Sequence, residues 1–293
     1  TLEELNLAST EVLELLNFYL VHGYLIVNIQ GVTQEIRPHP SFRLFATMNP
    51  DNYAVREKLS DALMGRFREK YFGELPDAEL AEILNVKYKI PVEVGIRIVQ
   101  AHQTAERLTK SRVIGKKEKE PYEFNVRNLM RMGQRIRNEA GDKDLSKTSY
   151  EELLPLIGNH VNEVYLDVIR DEDDRMALFT SMDTILGLTA KGMGYEKLRE
   201  KVKDMGAVGL EVIAGKAGEK EILGPEADLA NVPTTMTVMK KTAQALKHGE
   251  HVLMVGPTAG GKTSIMRYLA RLTKNVMHYI NLHSDTAMEQ LIG

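Results

Sequence analysis

Gly256-Pro257-Thr258-Ala259-Gly260-Gly261-Lys262-Thr263 is the stretch that decides how this chain is read. It has the form G-x-x-x-x-G-K-[ST], in which successive backbone N–H groups turn inward around a phosphate. Glycines are needed because side chains block that approach and because parts of such a loop require dihedrals that other residues avoid. His251-Val-Leu-Met-Val255 before it reads as a buried strand. Residues 262–273 after it read as an amphipathic helix whose N-terminal dipole faces the phosphate. Lys262 then pairs with the β/γ phosphates as a point charge, Thr263 places its hydroxyl on Mg²⁺, and Ser264 completes the first helical turn beside them. A plain glycine turn between strand and helix is the bland alternative. The demanded context on both sides favours a nucleotide-phosphate-binding P-loop over residues 256–264, with ATP and Mg²⁺ as the expected cofactors.

A second strand at Val276-Met-His-Tyr-Ile-Asn281 makes strand–loop–helix–strand, the first βαβ unit of a doubly wound parallel sheet. The fold class is therefore α/β. After Lys262 the remaining acids are Asp285 and Glu289, neither on a strand. The carboxylates that would cleave a phosphate held here are expected outside the chain.

The bulk properties fit this reading. A length of 293 residues suits about two domains. Hydrophobic content of 43% and charged content of 27% suit a soluble globular protein. A net charge of −3 and a pI near 6.3 indicate neither nucleic acid nor a membrane surface as partner. The absence of cysteine excludes disulfides and thiolate metal sites, and the scattered histidines lead us to expect no zinc site. No apolar run approaches the roughly 20 residues that span a bilayer. The acidic start Thr1-Leu-Glu-Glu4 lacks the basic opening of a signal peptide and an initiator methionine, so the chain is expected to be a piece of something longer.

Upstream of the loop the patterns are mostly helical. Residues 8–21 read as a helix, 24–36 as a β-hairpin around Gln30-Gly31, and 42–48 as a short, mostly buried strand. Residues 76–145 read as a small all-helical unit, with helices opening at Pro76 and Pro91 and a third over about 125–139 closed by Gly141. A solvated charged loop lies near 115–120. Helices over 149–169 and 172–186, then a glycine-rich stretch with a short helix at 195–204 and a strand at 208–213, read as a connector over 146–231.

Glu3 and Glu4 are adjacent acids of the kind that coordinate Mg²⁺ through water and polarise an attacking water, although alone the pair reads better as a solvated N-terminal helix cap. Asn49 ends a predicted strand, where its amide can orient a water or a γ-phosphate or simply cap the turn at Pro50. Arg66 follows a predicted helix at 59–64 and is either an exposed functional arginine or a surface one. Arg127 shares a helix with Arg131, Arg135 and Arg137, which also reads as a basic solvent face.

In this order, Leu2-Glu-Glu-Leu-Asn-Leu-Ala8, Phe42-Arg-Leu-Phe-Ala-Thr-Met-Asn-Pro50 and Leu59-Ser-Asp-Ala-Leu-Met-Gly-Arg-Phe67 resemble the Walker B, sensor 1 and arginine-finger segments of AAA+ ATPases. The resemblance is to the dynein-related group that includes midasin and the MoxR-type ATPases. Phe124-Asn-Val-Arg-Asn-Leu129 looks like the sensor 2 helix of that group's lid, and 24–36 like its hairpin insertion. Residues 232–293 look like the opening of a second module. The resemblance implies that residues 1–75 are the later half of one parallel-sheet core and 76–145 its helical lid. Residues 232–293 would be the earlier half of the next core. It makes Glu4 the catalytic carboxylate, Asn49, Arg66 and Arg127 its catalytic companions, and Glu3 a metal-side acid where the family has Asp. It implies an ATP-hydrolysing ring protein in the cytoplasm, or the nucleus of a eukaryote. Its partners would be neighbouring AAA+ modules and a protein or macromolecular-complex substrate, with no membrane and no indicated nucleic acid. The Glu3 departure leaves the alternative of a nucleotide-binding structural or regulatory module without efficient hydrolysis.

Overall fold

Helix α1, Thr10–His22, follows Ser9 in extended backbone and stops at Gly23, whose left-handed conformation lets its N–H reach the Tyr19 carbonyl. A computed structural model of the chain describes residues 1–29, 32–49, 59–198, 233–256, 261–278 and 280. Two units divide it, Thr1–Glu74 and Leu75–Gly293.

In the first unit, Leu13, Leu16 and Leu20 of α1 pack on a small core of Leu5, Leu59 and Leu63. Strands β1, Leu25–Ile29, and β2, Val32–Ile36, pair antiparallel from Leu25↔Ile36 to Ile29↔Val32, as the hairpin pattern predicts. Gln30 and Gly31 at its turn lie outside the described residues. Helix α2, Asp61–Met64, is capped by Ser60, whose hydroxyl accepts from the Leu63 N–H. The strand expected over 42–48 is reduced to one parallel bridge, Leu2↔Ala46, and Phe42, Phe45 and Met48 are exposed. A strand takes its hydrogen bonds from its neighbours, and Leu2 is the neighbour this segment has among the described residues.

The second unit holds the main core. Helices α3, Asp77–Tyr88; α4, Val92–Lys110; α5, Val126–Ala140; α6, Tyr150–Val164; and α7, Glu172–Leu186, surround one apolar cluster running from Leu80 to Leu198. The helices at 150–186, which sequence alone sets apart as a connector, pack into the same core as those at 77–140. Their stripe of Leu153, Ile157, Val161 and Val164 is buried there, and Tyr165 donates to or accepts from His102 Nδ1 at 2.9 Å. The helix starts agree with the caps that the sequence offers. Asn125 and Asn128 form a capping box at α5, Ser149 caps α6, and Asp171 accepts from the N–H groups of Asp173 and Asp174 at α7. The charged loop at 115–120 is largely exposed as expected, and it is tied to the start of α7 by Lys117–Asp171 at 3.1 Å and Arg170–Glu118 at 3.0 Å.

Gly133 sets how closely α5 approaches α3. A Cβ there would lie 2.6 Å from Tyr88 Cδ2 and 2.9 Å from Leu84 Cδ2. Gly133→Val is expected to lower the unfolding free energy by about 1–3 kcal/mol through overpacking, against a helix-propensity gain of under about 1 kcal/mol. An unchanged or higher urea midpoint would show that the contact yields.

Helices α8, Pro233–Lys247, and α9, Lys262–Leu272, form a second cluster in which Met239 and Ala243 meet Ile265 and Leu269. The strand expected at 251–255 is not formed, and Leu253 and Val255 are 88% exposed. Val276 to His278 and Ile280 form none either. Both runs carry strand-like side chains but have no ladder partner among the described residues. The glycine-rich expectations at 199–231, including the strand at 208–213, lie outside the described residues.

Candidate functional site

Leu2 and Ala46 set two runs of chain side by side. Leu2 N–H donates to the Phe45 carbonyl at 2.8 Å, Thr47 N–H to the Leu2 carbonyl at 2.9 Å, and Leu5 N–H to the Thr47 carbonyl at 2.9 Å. That parallel register brings Glu4 to Asn49, whose Nδ2 donates to Glu4 Oε1 at 2.8 Å. Asn6 is buried beneath and donates from Nδ2 to the Asn49 carbonyl at 3.0 Å, fixing the backbone that carries the amide. Glu4 itself has left-handed backbone, φ 55° and ψ 47°, which turns the chain out of the strand direction at this point. The result is a carboxylate held in one orientation by a neutral donor. A carboxylate aimed in this way is the kind of group that accepts a proton from water.

Glu3 is exposed beside it. Both acids edge a groove of about 600 Å³ whose walls include Val12, Leu16, Tyr19 and Phe42. Arg66 is exposed on the turn after α2, and its Nη1 donates to the Ala62 carbonyl at 3.1 Å. Leu63 in the same helix is buried against Leu5, so α2 is anchored next to the acidic segment.

Of the loop octet, Gly256 and Gly261–Thr263 are described, while Pro257, Thr258, Ala259 and Gly260 lie outside the described residues. Gly261 caps α9 at φ 78°, ψ 5°, a conformation that disfavours any residue with a Cβ. Lys262 begins the helix and its Nζ donates back to the Gly256 carbonyl at 2.9 Å. Thr263 and Ser264 are exposed in the first turn, which contains no acid to neutralise the free N–H groups and the dipole there.

Arg127 is exposed at the start of α5, where Asn125 Oδ1 accepts its backbone N–H. Arg131 on this helix is exposed as well and Arg137 is half-buried, as the alternative of a basic solvent face has it, but Arg135 departs from that alternative. Arg135 is 7% exposed. It donates from Nε and Nη2 to the two oxygens of Glu250 at 2.6 and 2.7 Å and from Nη1 to Glu163 at 2.7 Å. One turn earlier, Arg131 lies 3.7 Å from Glu250. Burial pushes the Glu250 carboxyl up, but the Arg135 contacts outweigh it and hold the group below its ordinary range. Burial, then the charges of Arg135 and His160, push His248 down to about 4. Sequence reasoning missed Glu250 and Arg135 because their partners lie far along the chain, and nothing local marks them.

Residues 79–189 match the family profile of the midasin AAA lid domain, and residues 251–293 that of the AAA domain of the dynein-related subfamily. The chain belongs to the dynein-related, midasin-like AAA+ proteins. The lid match takes in α6 and α7 as well as α3 to α5, in keeping with their shared core. The whole chain aligns with midasin of Dictyostelium discoideum at 27% identity over 298 residues and with midasin of Giardia intestinalis at 25% over 309. It spans only 5% and 6% of those two proteins. No solved structure matches it. An AAA+ domain is a nucleotide-binding domain, and among the described residues no helix is long and apolar enough to cross a membrane.

Proposed function

We propose that this AAA+ chain carries the hydrolytic half of one ATPase module, that module's lid, and the nucleotide-binding opening of the next. The observation that carries the reading is the 2.8 Å contact from Asn49 Nδ2 to Glu4 Oε1. Glu4 takes a proton from the attacking water, Asn49 keeps the carboxylate aimed, and Glu3 holds Mg²⁺ through water. Arg66 reaches the nucleotide of the preceding module and Arg127 senses nucleotide from the lid. Gly256 to Ser264 cradle the phosphates of a second ATP, with Lys262 on the β/γ phosphates and Thr263 on its Mg²⁺. The Glu4 and Lys262 sites serve different nucleotides, because a lid separates them in the chain. Hydrolysis rocks lid against core and so moves neighbouring modules of an intracellular ring that remodels a protein or macromolecular complex.

Lys262→Ala tests the second site directly. Loss of a charged phosphate contact worth about 1.5–3 kcal/mol is expected to weaken ATP binding by the chain about 10- to 150-fold. Titration with a fluorescent ATP analogue in Mg²⁺ reads this, and equal affinities for wild type and variant would sink the assignment.

A further inference from the structure

One buried imidazole nitrogen, His248 Nδ1, has no hydrogen-bond partner although its residue is 6% exposed, while the neighbouring His160 is 1% exposed. Orphaned polar atoms at such depth are costly and mark a group that completes them. His160 lies on α6, and His248 directly follows α8. Their rings meet edge to face at 5.5 Å between centroids. A donor atom from each of His160, Glu163 and His248 lies within 4.8 Å of the other two.

We propose that His160, Glu163 and His248 bind a divalent transition metal of the zinc class. His160 Nδ1 is 3.2 Å from Glu163 Oε2. Two ligands bonded tetrahedrally at zinc distances stand about 3.3 Å apart, so these two already have the needed separation. Glu139 Oε2 stands 2.9 Å from His160 Nε2, off the hydrogen-bonding direction but close enough to receive the ring N–H after a small rotation. A carboxylate on the far nitrogen is the usual outer partner of a metal-bound histidine, because it fixes the tautomer and leaves the other nitrogen's lone pair for the ion. Arg135 on Glu163 plays the corresponding part for the ligating carboxylate.

Two imidazoles and one carboxylate suit zinc, cobalt or nickel and not magnesium, which demands oxygen ligands and retains its waters. Glu163 also borders a cavity of about 90 Å³ shared with Arg135, Asp167 and Gln244. Lys241 on the same cavity is already neutralised by Asp167 at 2.9 Å. The ion would clip lid helix α6 to the segment that runs from His248 into the phosphate-binding loop. The site is separate from the nucleotide's Mg²⁺ and does not depend on the ATPase reading.

Cobalt(II) titration of the chelator-treated chain, without nucleotide, is the test. One equivalent is expected to give the intense visible absorption of a tetrahedral site, abolished by stoichiometric Zn²⁺ and untouched by excess Mg²⁺. His248→Ala is expected to weaken Zn²⁺ binding at least 100-fold. Glu139→Gln, which keeps all three ligands, is expected to weaken it about 10- to 100-fold. Circular dichroism checks that each variant keeps its helices, and Glu139→Gln serves if His248→Ala does not fold. Absence of the cobalt spectrum overturns the proposal. So does binding that survives both substitutions, which would place the ion on surface groups.

Discussion

Arg135→Ala is expected to cost the Leu75–Gly293 unit about 3–5 kcal/mol of folding free energy, the loss typical when one partner of a buried ion pair is removed. The guanidinium is nearly inaccessible and serves two carboxylates, Glu163 and Glu250, that are themselves mostly covered. Without it, Glu250 is left with the longer contact to Arg131 at 3.7 Å and Glu163 with His160 at 3.2 Å, and neither carboxylate can turn fully to water. Arg135→Lys is expected to fall between alanine and wild type, because an ammonium supplies charge but not the planar fork that meets both oxygens of Glu250. Urea unfolding followed by circular dichroism, in the presence of chelator, measures both. A loss under about 1 kcal/mol for alanine would mean that solvent supports the cluster and the clamp is a surface contact in energetic terms.

Glu4→Gln is the second large effect. In the full-length protein, ATP turnover by the module that contains residues 1–74 is expected to fall about 10²- to 10⁴-fold, the range for loss of a general base. ATP binding is expected to persist, because glutamine keeps the shape of the side chain and can still accept from Asn49. Asn49→Ala leaves the base in place but removes the donor that aims it, so a smaller loss is expected. Single-turnover hydrolysis of radiolabelled ATP separates binding from cleavage. Unchanged cleavage in Glu4→Gln would remove Glu4 from the chemistry and leave the chain a nucleotide-binding scaffold.

Helices and pairs that depend on nearby residues are legible in the sequence itself. The bounds of α3, α4 and α5 follow from Pro76, Pro91, Asn125 and Gly141, because a helix makes its own hydrogen bonds and its ends are marked by local chemistry. The hairpin follows for the same reason, since its partner strand is its sequence neighbour. The runs at 42–48 and 251–255 have strand-like side chains, yet a strand in a parallel sheet depends on partners far away in sequence. The Glu4–Asn49 pair can be anticipated only through the order of motifs. The Arg135–Glu250 clamp and the meeting of His160 with His248 have no sequence signature at all. Their residues are 115 and 88 positions apart, and only the packing of α5, α6 and α8 brings them together.

The left-handed backbone at Glu4 has a consequence for how this position ages in a lineage. A residue with a Cβ held there costs the fold roughly 1–2 kcal/mol, and glycine would relieve most of it. Backbone strain therefore favours replacing the acid, and the contact with Asn49 together with use of the carboxylate opposes that drift. Copies of the module that no longer work on nucleotide are expected to lose Glu4 early, before the buried leucines beneath it change. The identity of this one residue would then distinguish working copies of the module from retired ones.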